Sequence, residues 1–355
     1  MTLSELTNDA IFLLKKLIET ESFSSDEDRT ASLIEDWFKR YKVAYKRTKN
    51  NVWAINKNFD ERKPTLLLNS HHDTVKPNAA YTKDPFKAII EDGKLYGLGS
   101  NDAGGCLVSL IAVFTYFYNE SDLKYNLVIV ASAEEESSGP NGLNSMLSVI
   151  PKVDVAIVGE PTLMNLAIAE KGLVVFDAKV TGTPSHAAHP NENNCIYKTI
   201  KALQWFKDFK FEKSSEVLGD VKLTVTQING GTQHNVVPAE VDLVIDVRVN
   251  DKYTNKEVTE ILQKLAPCNS IIPRSLRLNS SSIPVDHELV KAGIAIGRST
   301  YGSPTLSDQA VLTCPSLKLG PGDSTRSHSA DEFIYINEIE EGIKIYVELL
   351  NRVIA

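Results

Sequence analysis

Near the start of the chain, Ala10, Ile11, Leu13, Leu14, Leu17 and Ile18 recur at helical spacing, with Thr7 and Asn8 ahead of them as capping candidates. A second helix follows the same logic. Ser25 and Asp26 precede Ala31, Ile34, Trp37 and Phe38, whose spacing gathers the apolar side chains on one face. The pattern then changes to short continuous apolar runs at 65–69, 127–131, 153–158 and 316–319. Such runs, without polar alternation, read as strands buried on both faces, as in parallel sheets. Helical stretches such as 107–118 lie between them, so the alternation predicts an α/β fold: a mostly parallel sheet with helices on both faces.

From about Leu173 the period becomes two. Leu223, Val225 and Gln227 form one alternating series, and Val241, Leu243, Ile245 and Val247 another, each with one buried and one wet face. Helices predicted around 196–209 and 256–265 complete the order strand, helix, strand, strand, helix, strand. Residues 172–284 are therefore expected to form a ferredoxin-like α+β insert between the two parts of the core, 1–171 and 285–355. The polar run 279–282 is the candidate hinge.

Composition narrows the function by exclusion. The 355 residues carry a net charge of -8 with no stripe of clustered Lys and Arg, which argues against a nucleic-acid partner. No apolar run approaches the roughly 18 residues of a membrane span. Cys106, Cys195, Cys268 and Cys314 stand far apart with no C-x-x-C pair, so a zinc finger or redox motif is not expected, and a reducing cytoplasm is the simplest setting. Met1 to Glu21 has acidic Glu5 and Asp9 and no small-residue cleavage site, and does not read as a signal peptide.

Chemistry enters at the strand ends. His71 and Asp73 follow the run at 65–70, Glu134 to Glu136 follow 127–133, and Glu160 follows 153–159. In α/β sheets ligands bind beyond the carboxyl ends of the strands. Carboxylates crowded there repel one another and are poorly solvated unless a cation sits among them. Any one of these residues alone is more readily a satisfied polar group or a solvated turn. Their coincidence at three strand ends, with Asp102 and His328 in Gly-rich segments besides, points to a metal site.

These residues also match a family. His71-His72-Asp73-Thr74-Val75, Gly97-Leu98-Gly99-Ser100-Asn101-Asp102, Glu134-Glu135-Glu136 and Gly159-Glu160-Pro161-Thr162 resemble the zinc amidohydrolase and peptidase family of acetylornithine deacetylase and succinyl-diaminopimelate desuccinylase. The resemblance covers the whole chain and implies a zinc-exopeptidase-like core, a lid and dimerisation insert, and two Zn2+ ions, with Co2+ or Mn2+ also compatible with the donors. It implies His71 and Glu160 on one zinc, Glu136 and His328 on the other, and Asp102 bridging both. Asp73, two residues beyond His71 in an extended segment, is assigned the orientation of the His71 ring. The H-x-D-x-V pattern selects His71 over His72, which is read as a packed or solvent-facing neighbour. Three consecutive acids leave the register open by one; aligning Ala133 to Glu136 with the family's A-D-E-E makes Glu135 the base and Glu136 a ligand.

In the insert, Gly182-Thr183-Pro184-Ser185-His186 resembles the family's lid histidine, which implies that His186 donates to the oxyanion in the partner subunit and that the enzyme is a homodimer. His189, before Pro190, is read as a surface residue. Asn235 in His234-Asn235 resembles a substrate-contacting turn. Arg248 resembles the anchor of a substrate α-carboxylate, with a structural ion pair to Asp246 as the other reading. Arg326, two residues before His328, is expected to meet the distal carboxylate of a succinyl group. Asp308 either receives a basic substrate side chain or is an exposed acid in a polar turn. The resemblance thus implies hydrolysis of an N-acyl amino acid, N-acetylornithine first, with N-succinylornithine or succinyl-diaminopimelate as rivals. A dipeptidase or carboxypeptidase and a catalytically silent binding protein are the readings of other classes.

Overall fold

Thr2, rather than Thr7 or Asn8, opens the first helix. In the computed structural model, which describes residues 2–355, the helix runs Leu3–Ile18. The Thr2 side chain accepts from the Glu5 amide, and the Glu5 carboxylate accepts from the Thr2 amide. This reciprocal cap leaves few unsatisfied donors, so the helix starts a turn earlier than the apolar stripe alone suggests. Of the stripe, Ala10, Leu13, Leu14, Leu17 and Ile18 are buried, Ile11 is half-buried, and Leu6 joins the buried face one turn earlier. The second helix is Asp28–Arg40 and buries Ala31, Ile34, Trp37 and Phe38; Ser25 does not cap it, and its hydroxyl goes to Glu134 instead.

Contacts divide the chain into two compact units. The first comprises residues up to Ile168, with Ser282–Tyr301 and Ser307–Ala355. Its central strands, in the order Asn126–Ser132, Thr65–His71, Val155–Val158 and Ser316–Lys318, are parallel. Antiparallel strands flank them: Asn51–Ile55 and then Tyr45–Thr48 on one side, and Leu166–Glu170 on the other. Every residue of Thr65–His71 and Asn126–Ser132 is buried, because both sheet faces are covered. Leu66 and Leu68 pack into the cluster formed with the helices Leu3–Ile18, Gly105–Phe117 and Ile336–Val353. Leu67, between them, points to the opposite cluster with Val128, Val130, Met146 and Ile150.

The register of these strands does the positioning. His71 pairs with Ser132, so two carboxyl ends finish level, and Val158, which ends the third strand, pairs with Asn69 two residues before them. The residues just beyond them, Ala133 to Glu136 and Gly159 to Glu160, therefore leave the sheet along the same edge as His71.

The second unit is Ala169–Ser281 with Gly302–Leu306. Four antiparallel strands lie in the order Lys222–Asn229, Glu240–Val249, Gly172–Thr181, Ser270–Pro273. With the helices Cys195–Asp208 and Asn255–Leu265, the chain order is strand, helix, strand, strand, helix, strand. Val174, Phe176, Ala178 and Val180 alternate into its core, as do Val241, Leu243, Ile245 and Val247. In Lys222–Asn229 the alternation fails: the register shifts between Val225 and Gln227, and Gln227 is exposed, because a bulge re-aims the side chains beyond it. Among the described residues no helix is long and apolar enough to cross a membrane.

Candidate metal centre

His71 is the last residue of its strand and is buried. Its Nδ1 lies 3.0 Å from the Asp73 carbonyl oxygen and 3.4 Å from the Asp73 carboxylate. A carbonyl only accepts, so this bond puts a proton on Nδ1. Nε2 is left buried without a hydrogen-bond partner, 3.5 Å from Asp102 Oδ1, 3.9 Å from Glu160 Oε1 and 4.0 Å from Glu135 Oε2. Asp73 does more than face the ring. Its oxygens also accept from Ser24 Oγ at 2.7 Å and from the amides of Glu135 and Glu136 at 3.1 Å each. One buried carboxylate thus ties the histidine strand to the acidic turn.

Within that turn the three glutamates separate by their partners. Glu134 has a left-handed backbone, φ 55°, and its amide donates to Glu27 Oε1 at 3.1 Å. Its carboxylate accepts from the Asn141 amide and Nδ2, at 3.0 and 2.8 Å, and from Ser25 Oγ at 3.2 Å. Glu135 and Glu136 join the cluster instead. Glu136 Oε2 is 3.0 Å from His328 Nε2, which lies 3.5 Å from Asp102 Oδ2. Asp102 therefore offers one oxygen to each histidine. The ligand atoms of His71, Asp102 and Glu136 lie within 4.8 Å of one another, and so do those of His71, Glu135 and Glu160.

The field among these groups is unbalanced. Burial, reinforced by Glu160, Asp308 and Glu136, pushes the Glu135 carboxyl well above the carboxylate range. Burial and then Asp102 push Glu160 up to about 8, against the pull of His71. Burial acts on Asp102 too, but hydrogen bonding and charge from His71, Ser327 and His328 outweigh it and hold it low. The Glu136 carboxylate raises His328 to about 9. A partnerless buried imidazole nitrogen, two histidines and four carboxylates converging within a few ångströms fit divalent cations bound through nitrogen and oxygen.

One participant escaped the sequence reading. Glu332 is buried and accepts from the amides of Gly99, Asn101 and Asp102; burial and Asp102 raise it to about 8. Its only signal was its place four residues after His328. Asp308 is not the exposed acid of a polar turn: it is drawn inward, accepts from Ser132 Oγ at 2.6 Å, and is pushed up to about 6 by burial. His72 is packed, its Nδ1 2.9 Å from Thr30 Oγ1 and its Nε2 2.9 Å from the Asn50 carbonyl, and burial lowers it to about 4.

Arg326 is engaged by its surroundings. Its two terminal nitrogens donate to Glu338 at 2.7 Å each, and its guanidinium lies over the Phe333 and Tyr335 rings. The fork expected to meet a succinyl carboxylate is already occupied, because Glu338 stands opposite it with matching bidentate geometry. In the second unit, Arg248 donates to Asp246 at 2.9 and 3.2 Å, the structural pairing. His186 is exposed on a two-residue strand paired with Val236–Val237, its Nδ1 accepting from the Ala188 amide and its ring beside His189. The Asn235 carbonyl accepts from the Ala187 amide, and Asn235 is exposed.

Comparison with known proteins bears on the whole chain. Peptidase family M20/M25/M40 matches residues 67–352. The succinyl-diaminopimelate desuccinylase of Rickettsia akari (strain Hartford) is 26% identical over 383 residues, covering 97% of this chain and 100% of that protein. The acetylornithine deacetylase of Proteus mirabilis (strain HI4320) is 28% identical over 375 residues, covering 96% and 95%. Among solved structures, the YXEP protein of Bacillus subtilis, a dinuclear metal binding peptidase, shares the fold with a TM-score of 0.75 at 15% identity, over 98% of both chains. The chain belongs to Peptidase family M20/M25/M40 and is, like other members of this metallopeptidase family, a hydrolase of amide bonds.

Proposed function

We propose that this protein is a two-metal deacylase of N-acyl amino acids, cleaving N-acetylornithine to ornithine and acetate in arginine biosynthesis. The observation that carries this reading is the buried, partnerless Nε2 of His71 facing Asp102, Glu135 and Glu160, with Asp102 dividing its oxygens between His71 and His328. His71 and Glu160 would hold one ion, Glu136 and His328 the other, and Asp102 would serve both. Bound there, two zinc ions, with cobalt or manganese also suited to the donors, supply Lewis acidity that lowers the pKa of a water and stabilises charge on the scissile carbonyl. Glu135 takes the proton of the attacking water at its carboxylate and returns it to the leaving nitrogen as the C–O bond forms and the C–N bond breaks. Asp73 holds the His71 ring and the amides of Glu135 and Glu136 in place for both tasks.

In this reading residues 1–171 and 285–355 are catalytic and 172–284 form a lid and dimerisation element. His186 of one subunit donates to the oxyanion in the other, Asn235 contacts substrate, and Arg248 exchanges Asp246 for the substrate carboxylate. Support for dimerisation comes from the apolar face of Cys195–Asp208, where Ile196, Tyr197 and Ile200 are 44%, 71% and 64% exposed, and from the open edge strand Lys222–Asn229. Succinyl substrates are the second reading, favoured by the relatives named for desuccinylation.

Five outcomes are expected. Glu135→Ala keeps both metals by elemental analysis while turnover falls by about 10²–10⁴-fold, and Glu136→Ala loses metal; the reverse pattern would move the register by one residue. Zinc-loaded protein releases ornithine from N-acetylornithine, more slowly or not at all from N-succinylornithine, and chelator-stripped protein from neither. Arg326→Ala leaves the ratio of the two rates unchanged, since Glu338 holds its guanidinium; cleavage of unblocked dipeptides alone would place the substrate among peptides. Sedimentation yields a dimer, and a fully active monomer is incompatible with His186 acting across subunits.

The fifth concerns pH. Glu160 and Glu332 rise from 4.5 to about 8 on folding, and His328 from 6.5 to about 9. In each case the folded state binds more protons than the unfolded one over that interval, so stability falls as pH rises through it. His72, lowered to about 4, acts oppositely, but only below 6.5. The metal-free protein therefore loses stability between pH 6.5 and 8 in denaturant titrations, and added zinc removes most of this slope. A flat metal-free profile would mean that the acids are not crowded as described.

A further inference from the structure

The segment carrying Asp102 is irregular backbone. Ser100–Gly104 forms a single wide turn in which Asp102 has φ -115° and ψ 95°, outside the helical range. Gly99, just before it, has φ +73°, and a Cβ there would stand 2.5 Å from Thr74 Cγ2, so only glycine admits this approach. Buried amides that no helix or ladder uses must find acceptors elsewhere. Three of them go to one side chain. Glu332 Oε1 accepts from Asn101 at 2.8 Å and Asp102 at 2.9 Å, and Oε2 accepts from Gly99 at 3.2 Å.

The other flank of the segment is fixed separately. Asn101 Nδ2 donates to the Asp323 carbonyl, and Asn101 Oδ1 accepts from the Asp323 amide, both at 3.0 Å. The Glu332 carbonyl also accepts from the Gly97 amide at 3.0 Å. Glu332 lies four residues beyond His328, so a single short stretch carries one histidine of the cluster and the clamp on the carboxylate between the two histidines. A glutamine in its place would keep one acceptor oxygen but turn an NH2 group toward amide donors, which is a specific reason for a carboxylate here.

We propose that Glu332 is the positioning residue of the metal centre: it fixes the backbone of Asp102, and thereby locks the bridging carboxylate in register with His328, without touching substrate or metal. The inference rests on the two-metal reading above. A carboxylate shared between two ions about 3.5–4 Å apart tolerates little displacement, so loosening its backbone is expected to weaken metal binding before it disrupts the fold.

The test is titration of the chelator-stripped protein with Co2+ alone, followed by calorimetry and by visible absorption, with melting of the metal-free forms alongside. Wild type is expected to take two ions. Glu332→Gln is expected to bind about 10–100-fold more weakly with an altered cobalt band. Glu338→Gln, which removes the partner of Arg326 and reaches no member of the cluster, serves as the control: a lower melting temperature with wild-type affinity and spectrum. Wild-type affinity in Glu332→Gln, or equal weakening in both variants, overturns the proposal. If Glu332→Gln does not fold, Glu332→Asp, which keeps the charge but shortens the reach, takes its place: weakened binding supports the role and unchanged binding overturns it. A wild type that binds no pair of ions would instead remove the two-metal reading itself.

Discussion

Neighbouring parallel strands deliver the residues beyond their carboxyl ends to one edge of the sheet, and in this protein those residues are acidic. Glu135, Glu136 and Glu160 leave neighbouring strand ends beside His71, and Asp102 is brought against them by its own loop. Burial disfavours their charged forms and neighbouring carboxylates add to it, which is why Glu160 sits at about 8 rather than in the carboxylate range. A fold that accepts this conflict needs a compensating cation, and most of the surrounding architecture serves to hold donors in place for one.

The acids of the region fall into two groups by what their oxygens touch. Asp73 and Glu332 collect two or more backbone amides and Glu134 accepts from the Asn141 amide, and so they act as internal braces for loops that regular secondary structure does not satisfy. Asp102, Glu135, Glu136 and Glu160 direct oxygens toward histidine nitrogens. The same test separates the arginines. Arg326 and Arg248 are each engaged by a carboxylate in a two-nitrogen pairing, Glu338 and Asp246 respectively, so a substrate carboxylate would have to displace a partner already in position. Substrate choice therefore cannot be argued from the mere nearness of a cationic residue to a ligand in sequence.

How much was legible before the structure depends on the range of the interaction involved. The helical stripe Ala10 to Ile18, the buried runs that became Thr65–His71 and Asn126–Ser132, and the alternation in Glu240–Val249 are local patterns, and hydrophobic burial enforces them residue by residue. His71, the acidic triplet and Glu160 were legible as a set because each directly follows such a run. The first helix cap was missed for a local reason too: the Thr2 to Glu5 box lies ahead of the apolar stripe used to find the helix.

The linear pattern of residues thus dictated the type of each element and which chemical groups stand at its end. Which of those groups face one another was decided by folding alone. Glu332 meets the Asp102 amide across 230 positions, Ser132 meets Asp308 across 176, and Ser25 meets Glu134 across 109. Burial pattern is written along the chain, but the partner of a polar group is set by which strands lie side by side and in what register, and that is a property of the folded sheet rather than of any stretch of residues.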